Sequence, residues 1–341
     1  MKNAHSFHWL LLLIIIASVS CAKRIYEVAY PTLNDGRYDS EFPYKNCSAE
    51  LETLSATVTK VICTTAYQKY YFPPERKVQM PIANNKILEL ATKIVDLRNT
   101  VSGTATIIYS QDRRVALLTC AHVISKPDTI VAYHYREDKA SPRYVQSIAV
   151  KRDQQILGYG LPEDGVLEIL LVDDENDIAL LRKEFRAIPE KPLPVLSYPL
   201  GKARELQWGS FVYLIGFPLG YKVITKGIVS QPDRDRKGSF LIDALFNRGL
   251  SGGILLAVRD GVPNFELVGI TASAAAETET VLVPAKDRDY DDALPYEGEI
   301  FVENRKTISY GITKAISAEA ILGLLQGNRE KLVKQGYDLK Y

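Results

Sequence analysis

The chain is poor in the residues that build metal sites and disulfide frameworks. Its 341 residues include four cysteines and four histidines, with no Cys-x-x-Cys pair and no His-Glu-x-x-His. A zinc module or a disulfide-dense scaffold has no ligand set to build on, and neither a cofactor nor a metal is expected. Charge of one sign is also missing: 42 basic against 41 acidic residues leave a net charge of +1. A dedicated nucleic-acid binder, which carries a strongly basic face, is not expected. No apolar run approaches the roughly 20 residues of a membrane-spanning helix. No internal repeat or low-complexity block is present. What the chain does have is 46% hydrophobic residues, ample for a packed core.

The longest apolar run, Trp9–Val19, is 11 residues and follows Lys2. Small residues then lead to Ser20 and Cys21. That layout predicts a secretory signal over 1–20. Ser18-Val19-Ser20-Cys21 resembles a bacterial lipobox, with Ser18 where Leu is usual, which makes Cys21 the candidate lipidation site. Export to the periplasm or cell envelope is expected, with membrane attachment only through lipid. Removal of the signal leaves two histidines, His122 and His134, and the cysteines Cys21, Cys47, Cys63 and Cys120. An oxidising compartment makes Cys47–Cys63 a candidate disulfide. An unbroken helix from Ser48 to Cys63 would hold the pair about 24 Å apart at ~1.5 Å per residue. The β-branched stretch from Thr57 to Thr65 favours a strand instead, which would permit closure.

Residues 21–91 are Tyr-rich and punctuated by proline and glycine, and read as an accessory segment. From about Asn85 the texture changes to short apolar runs separated by turn signals, among them Thr104–Tyr109, Val115–Thr119, Ile178–Leu181, Phe211–Ile215 and Ile254–Val258. Many short strands without alternating helices predict a mainly β fold, a sandwich or a pair of barrels. One helix is expected at the end of the chain, with Ser317 as N-cap and Ala320, Ile321, Leu324 and Leu325 on one face. The charged run Lys286–Glu303 suits a surface loop. Asp287, Asp289 and Asp291 open like a calcium loop, but Gly298 stands at the twelfth position, and no metal is expected there.

Three motifs carry chemistry. Thr119-Cys120-Ala121-His122-Val123 ends an apolar strand. Asn176-Asp177-Ile178-Ala179-Leu180 places an acid at the mouth of another. Asp243-Ala244-Leu245-Phe246-Asn247-Arg248-Gly249-Leu250-Ser251-Gly252-Gly253 sets a serine among glycines. Each has an ordinary reading taken singly: a surface histidine, a turn aspartate, a glycine-rich turn. Together, the order His122, Asp177, Ser251 is that of the chymotrypsin triad. Glycine at 249 allows its N–H and that of Ser251 to converge on one point, as an oxyanion hole requires.

On these motifs the sequence resembles a trypsin-like serine protease of the Deg/HtrA type. Tyr213-Leu214-Ile215-Gly216-Phe217-Pro218-Leu219-Gly220, Gly227-Ile228-Val229-Ser230, Val268-Gly269-Ile270 and Tyr310-Gly311-Ile312 match the same pattern in order, and the similarity covers roughly residues 92–325. The resemblance implies two antiparallel six-stranded β-barrels over 92–316, closed by a helix and tail over 317–341. It implies a Ser251 nucleophile, a His122 base, an orienting Asp177, and polypeptide substrates. Leu245 aligns with the floor of the primary specificity pocket, so a neutral, apolar residue is expected before the scissile bond. Ala272-Ser273-Ala274 aligns with the strand that pairs with an extended substrate.

The departures matter as well. Leu250 stands where digestive trypsins carry the Asp that pairs with a new N-terminus, so activation by N-terminal insertion is not expected. Ile254 replaces the usual proline. Arg248 beside Gly249 either props or blocks the hole. About 25 residues follow Ile316, and no PDZ domain is expected. The alternative function is an inactive or substrate-activated trypsin-fold binding or scaffold lipoprotein.

Overall fold

The computed structural model describes residues 33–134, 142–235, 238–284 and 293–339. The signal segment, Cys21 and the Asp287–Asp291 acidic run lie outside the described residues.

Two antiparallel barrels account for nearly every strand. Helix α1 (Ser48–Ala56) leads into β1 (Val58–Tyr71), and α2 (Asn84–Leu90) leads into β2 (Lys93–Gln111). Then come β3 (Arg114–Thr119), the single turn α3 (Ala121–Ile124), β4 (Thr129–Tyr133), β5 (Val145–Gly158), β6 (Val166–Asp173) and β7 (Ile178–Glu184). The first sheet runs β1-β2-β3-β7-β6-β5, closes through β1–β5 pairing into six strands, and carries β4 on the edge of β5. The second barrel is β10-β13-β12-β11-β8-β9, built from β8 (Phe211–Gly216), β9 (Val223–Gln231), β10 (Phe240–Ile242), β11 (Ile254–Val258), β12 (Phe265–Pro284) and β13 (Ile300–Ser317).

Why some of these strands read as continuous apolar runs is clear from where their two faces go. In β8 all six residues are buried. Val212 and Leu214 point into the second barrel, while Phe211, Tyr213 and Ile215 point outward into the cluster shared with the first. Strand β11 divides the same way, with Leu255 and Ala257 inside and Ile254, Leu256 and Val258 in the shared layer. A strand with both faces buried loses its polar alternation. At roughly 1.5–3 kcal/mol per large apolar side chain buried, this double-faced packing fastens one barrel to the other.

The stretch expected as an accessory segment supplies β1. It pairs with β2 along its whole length and with β5 from Val61 to Tyr71, so it is the strand that closes the first barrel. Its period-two burial places Val61, Cys63, Thr65 and Tyr67 inward. The Cys47–Cys63 disulfide does not form: both cysteines are free. Cys63 lies inside the first barrel, and the Cys47 thiol lies 3.5 Å from the Tyr213 hydroxyl in the layer between barrels. Helix and strand both exist, and they send the two thiols to different places.

Ser317 caps α4 (Ala318–Gly327), accepting the Ala320 N–H, and the helix buries Ala318, Ile321, Leu324 and Leu325. Asn328 then turns the chain into α5 (Arg329–Lys334). Of the Lys286–Glu303 stretch expected as a loop, Ile300–Glu303 belong to β13 and pair with Val281–Pro284 of β12. No described helix is long and apolar enough to cross a membrane.

Candidate active site

The site lies where the end of β3, the start of β7 and the bulge at Ala272 within β12 meet the loop before β11. Strand β3 stops at Thr119, and α3 packs Ala121, Val123 and Ile124 inward, which leaves His122 on the exposed side of the turn. Asp177 follows a turn in which the Asp173 carboxylate accepts the Asn176 N–H at 3.0 Å and its side-chain amide at 2.6 Å. Asp177 has φ 58°, a left-handed conformation that aspartate tolerates better than most residues. Its main chain and side chain both hold the histidine turn. The Asp177 carbonyl accepts the Ala121 N–H at 3.2 Å, and Oδ1 accepts the His122 N–H at 2.8 Å.

That anchoring leaves the carboxylate facing the ring. His122 Nδ1 is 2.8 Å from Asp177 Oδ2 and 3.0 Å from Oδ1, while Nε2 is 2.9 Å from Ser251 Oγ. A carboxylate can only accept, so the proton sits on Nδ1 and Nε2 is left to accept from the serine hydroxyl. Ser251 Oγ is also 3.1 Å from the Ala272 carbonyl, which competes for the same single proton. Lys126 donates to the His122 carbonyl, and burial lowers its pKa.

The loop before Ser251 depends on two glycines. Gly249 has φ 98°, and a Cβ there would stand 2.4 Å from the Phe217 carbonyl. Gly252 has φ 86°, and its Cβ would stand 2.1 Å from the Thr104 carbonyl. Only glycine meets both demands. The Arg248 carbonyl accepts the Leu219 N–H at 2.7 Å. In a trans peptide the N–H opposes the C=O, so this bond fixes the Gly249 N–H on the other side of the plane. Among the described residues, neither the Gly249 N–H nor the Ser251 N–H takes a protein acceptor.

Leu250 is buried in the core of the second barrel. The Arg248 side chain is exposed, and it is the backbone carbonyl of this residue that supports the loop. Leu245 is 64% exposed, an open position and not the buried floor of an enclosed pocket. Asp243 nearby turns its Oδ1 to the Ile228 N–H at 2.7 Å. In β12, the β13 register shifts between Thr271 and Ser273, leaving Ala272 as a bulge with its carbonyl at Ser251. Ser273 and Ala274 pair with Lys314 and Thr313 of β13, and pairing of β11 with β12 ends at Ile270. His134 bonds the Phe72 carbonyl instead of joining the site.

Cys120 Sγ, His122 and Asp177 present ligand atoms within 4.8 Å of one another. As a metal set they fit poorly. Both ring nitrogens of His122 are engaged, and Cys120 is fully buried with its thiol directed at the Thr271 carbonyl. Burial, reinforced by the Asp177 charge, pushes that thiol well above its usual range, so it stays protonated.

Thr104 also belongs to the site, although no sequence motif marks it. This fully buried β2 residue bonds the Gly249 carbonyl, the Phe217 N–H and the Ser251 carbonyl. A threonine in an apolar strand carries no local signal of such contacts.

Residues 103–270 match the trypsin-like peptidase domain family. The chain is 30% identical over 153 residues to the mitochondrial serine protease HTRA2 of Bos taurus, covering 41% of this chain and 31% of that protein. It is 35% identical over 106 residues to a probable periplasmic serine endoprotease, DegP-like, of Hahella chejuensis, covering 29% and 20%. A DegP-like protein of Pseudomonas fluorescens matches at 34% over 111 residues, covering 31% and 21%. The chain thus spans a third or less of the length of these relatives. Among solved structures, Deg5 aligns at 18% identity and a TM-score of 0.37, over 66% of this chain and 85% of that one.

Proposed function

With residues 103–270 a trypsin-like peptidase domain homologous to HtrA and DegP-like serine proteases, we propose that the protein is an exported serine endopeptidase. The observation that carries this is the continuous relay from Asp177 through His122 to Ser251, with contacts of 2.8 and 2.9 Å. Ser251 Oγ attacks the scissile carbonyl as His122 Nε2 takes its proton. Asp177 holds the ring in the required tautomer and stabilises its positive charge. His122 then gives the proton to the leaving amine, and water repeats the sequence on the acyl-enzyme.

The Gly249 and Ser251 N–H groups bind the oxyanion. One such donor is worth roughly 3–4 kcal/mol in the transition state. Beyond Thr271, which still bonds Gly252 and Gly253, the edge of β12 is open for an extended substrate, which supports pairing along Ala272–Ala274. The exposed Leu245 offers an apolar surface beside the loop, in keeping with a neutral, apolar residue before the scissile bond. Periplasmic DegP-like relatives support export, and Cys21 is the proposed point of lipid attachment.

The test is covalent labelling. Purified mature protein should react with a serine-directed fluorophosphonate, and Ser251→Ala should abolish the reaction. Folded wild-type protein that never labels, with extended peptides present, would overturn the reading.

A further inference from the structure

Thr104 belongs to the first barrel, yet its polar groups are spent mainly on the second. Its Oγ1 accepts the Phe217 N–H at 2.9 Å and donates to the Gly249 carbonyl at 2.7 Å. Its N–H donates to the Ser251 carbonyl at 2.8 Å, and its own carbonyl accepts the Thr119 hydroxyl at 2.7 Å. Every polar group of this fully buried residue is therefore satisfied. The two carbonyls it holds belong to the peptides that follow Gly249 and Ser251, the two proposed oxyanion donors.

Gly249 needs such a hold. At φ 98° a glycine has wide conformational freedom, and rotation about its bonds would redirect its N–H. The Arg248–Leu219 bond fixes the peptide before it, and the Thr104 hydroxyl fixes the peptide after it. The same hydroxyl ties down Phe217, so the turn that supports Arg248 and the loop that carries Ser251 share one anchor. Valine would fill this strand position with the same shape and no polar atom to bury. A hydroxyl at a fully buried site is costly unless it is bonded, and here both bonds go to the catalytic loop and its support.

We propose that Thr104 is a positioning residue, which pre-sets the oxyanion loop of the second barrel from the first. This rests on the endopeptidase reading, and the experiment separates the two. Thr104→Val removes the hydroxyl at nearly constant volume, and Thr104→Ser restores it. Labelling rate with the fluorophosphonate, kcat and KM for an extended peptide, and amide exchange across 248–252 are measured for each.

Thr104→Val should lower labelling rate and kcat by about 10- to 100-fold, short of the roughly 100- to 1000-fold loss when an oxyanion donor is removed outright. KM should stay within about twofold, because substrate pairing along β12 is untouched. The pH midpoint of labelling should not move, since the His122–Asp177 pair is not in contact with the hydroxyl. Amide protection at Leu250 and Gly252 should fall in Thr104→Val, and Thr104→Ser should return rate and protection to within about threefold of wild type. If the valine variant does not fold, Thr104→Ala makes the same comparison against serine.

Equal labelling by Thr104→Val and wild type overturns the proposal, as does a serine variant as slow as the valine one. Wild type that does not label at all overturns the endopeptidase reading. Amide exchange then decides on Thr104 alone, and unchanged protection in Thr104→Val overturns its role.

Discussion

Replacing Asp177 by asparagine tests the relay at the point where its geometry is most constrained. Oδ1 accepts the His122 backbone N–H at 2.8 Å, and that donor has no other acceptor in the turn. An asparagine must therefore keep its oxygen on that N–H and turn its NH2 toward Nδ1, now held 2.8 Å from Oδ2. Facing a donor, Nδ1 must become the acceptor, and the ring proton moves to Nε2. There it meets Ser251 Oγ at 2.9 Å as a donor and can no longer take the hydroxyl proton. The loss expected from a triad histidine in the wrong tautomer is about 10³- to 10⁴-fold, or roughly 4–5.5 kcal/mol of transition-state stabilisation. Stability should change by about 1 kcal/mol or less, because asparagine also tolerates a positive φ and keeps the backbone bond. Fluorophosphonate labelling under single-turnover conditions reads the first quantity and urea unfolding the second. A variant that unfolds like wild type and still labels at more than about a tenth of its rate would refute the relay.

Two further outcomes follow from the packing. Gly252→Ala introduces a Cβ 2.1 Å from the Thr104 carbonyl and 2.7 Å from the Thr119 hydroxyl at φ 86°. Positive φ costs about 1–2 kcal/mol and overpacking about 1–3, so urea unfolding should show a loss of about 2–5 kcal/mol. A midpoint equal to wild type would mean that β2 yields freely. Burial, reinforced by the neighbouring Glu41 and Asp260 charges, raises the Asp39 carboxyl from 3.8 to about 6, although Oδ2 accepts the Gly261 N–H at 3.0 Å. A raised folded pKa means that the stability linked to protonation is complete below about pH 4 and lost as pH rises through about 6. Asp39→Asn should thus match wild type near pH 4 and exceed it at pH 8 in thermal unfolding. Parallel profiles from pH 4 to 8 would contradict this account.

The strands of the second barrel are legible because apolar runs and turn residues are written locally. The direction of their faces is not. Val212 and Tyr213 are both apolar, and nothing local says which points into the barrel and which toward the neighbouring barrel. The closing helix is legible for a similar local reason, since Ser317 supplies the cap that starts it. Strand β1 does not read as part of a barrel, because its Tyr-rich, proline-flanked surroundings differ in composition from the other strands. Its β-branched stretch announces a strand but not its partners, β2 and β5, the latter reached across some 90 residues of chain. The disulfide expectation fails on the same point. Two thiols 16 residues apart are compatible with closure, but the barrel interior claims one of them while Tyr213 meets the other.

Residue types and their order along the chain specify the chemistry available at the site: a histidine at a strand end, an aspartate after a turn, a serine between glycines. Glycine at 249 and 252 likewise opens backbone conformations that other residues resist. Closure and docking of the two barrels bring these groups to hydrogen-bonding distance, leave Leu245 open, and let Thr104 reach across from the first barrel to hold the loop. The physical reason is that backbone preference and side-chain periodicity act between near neighbours along the chain. Hydrogen bonds between strands of different barrels depend on register, and register is settled only when both barrels close.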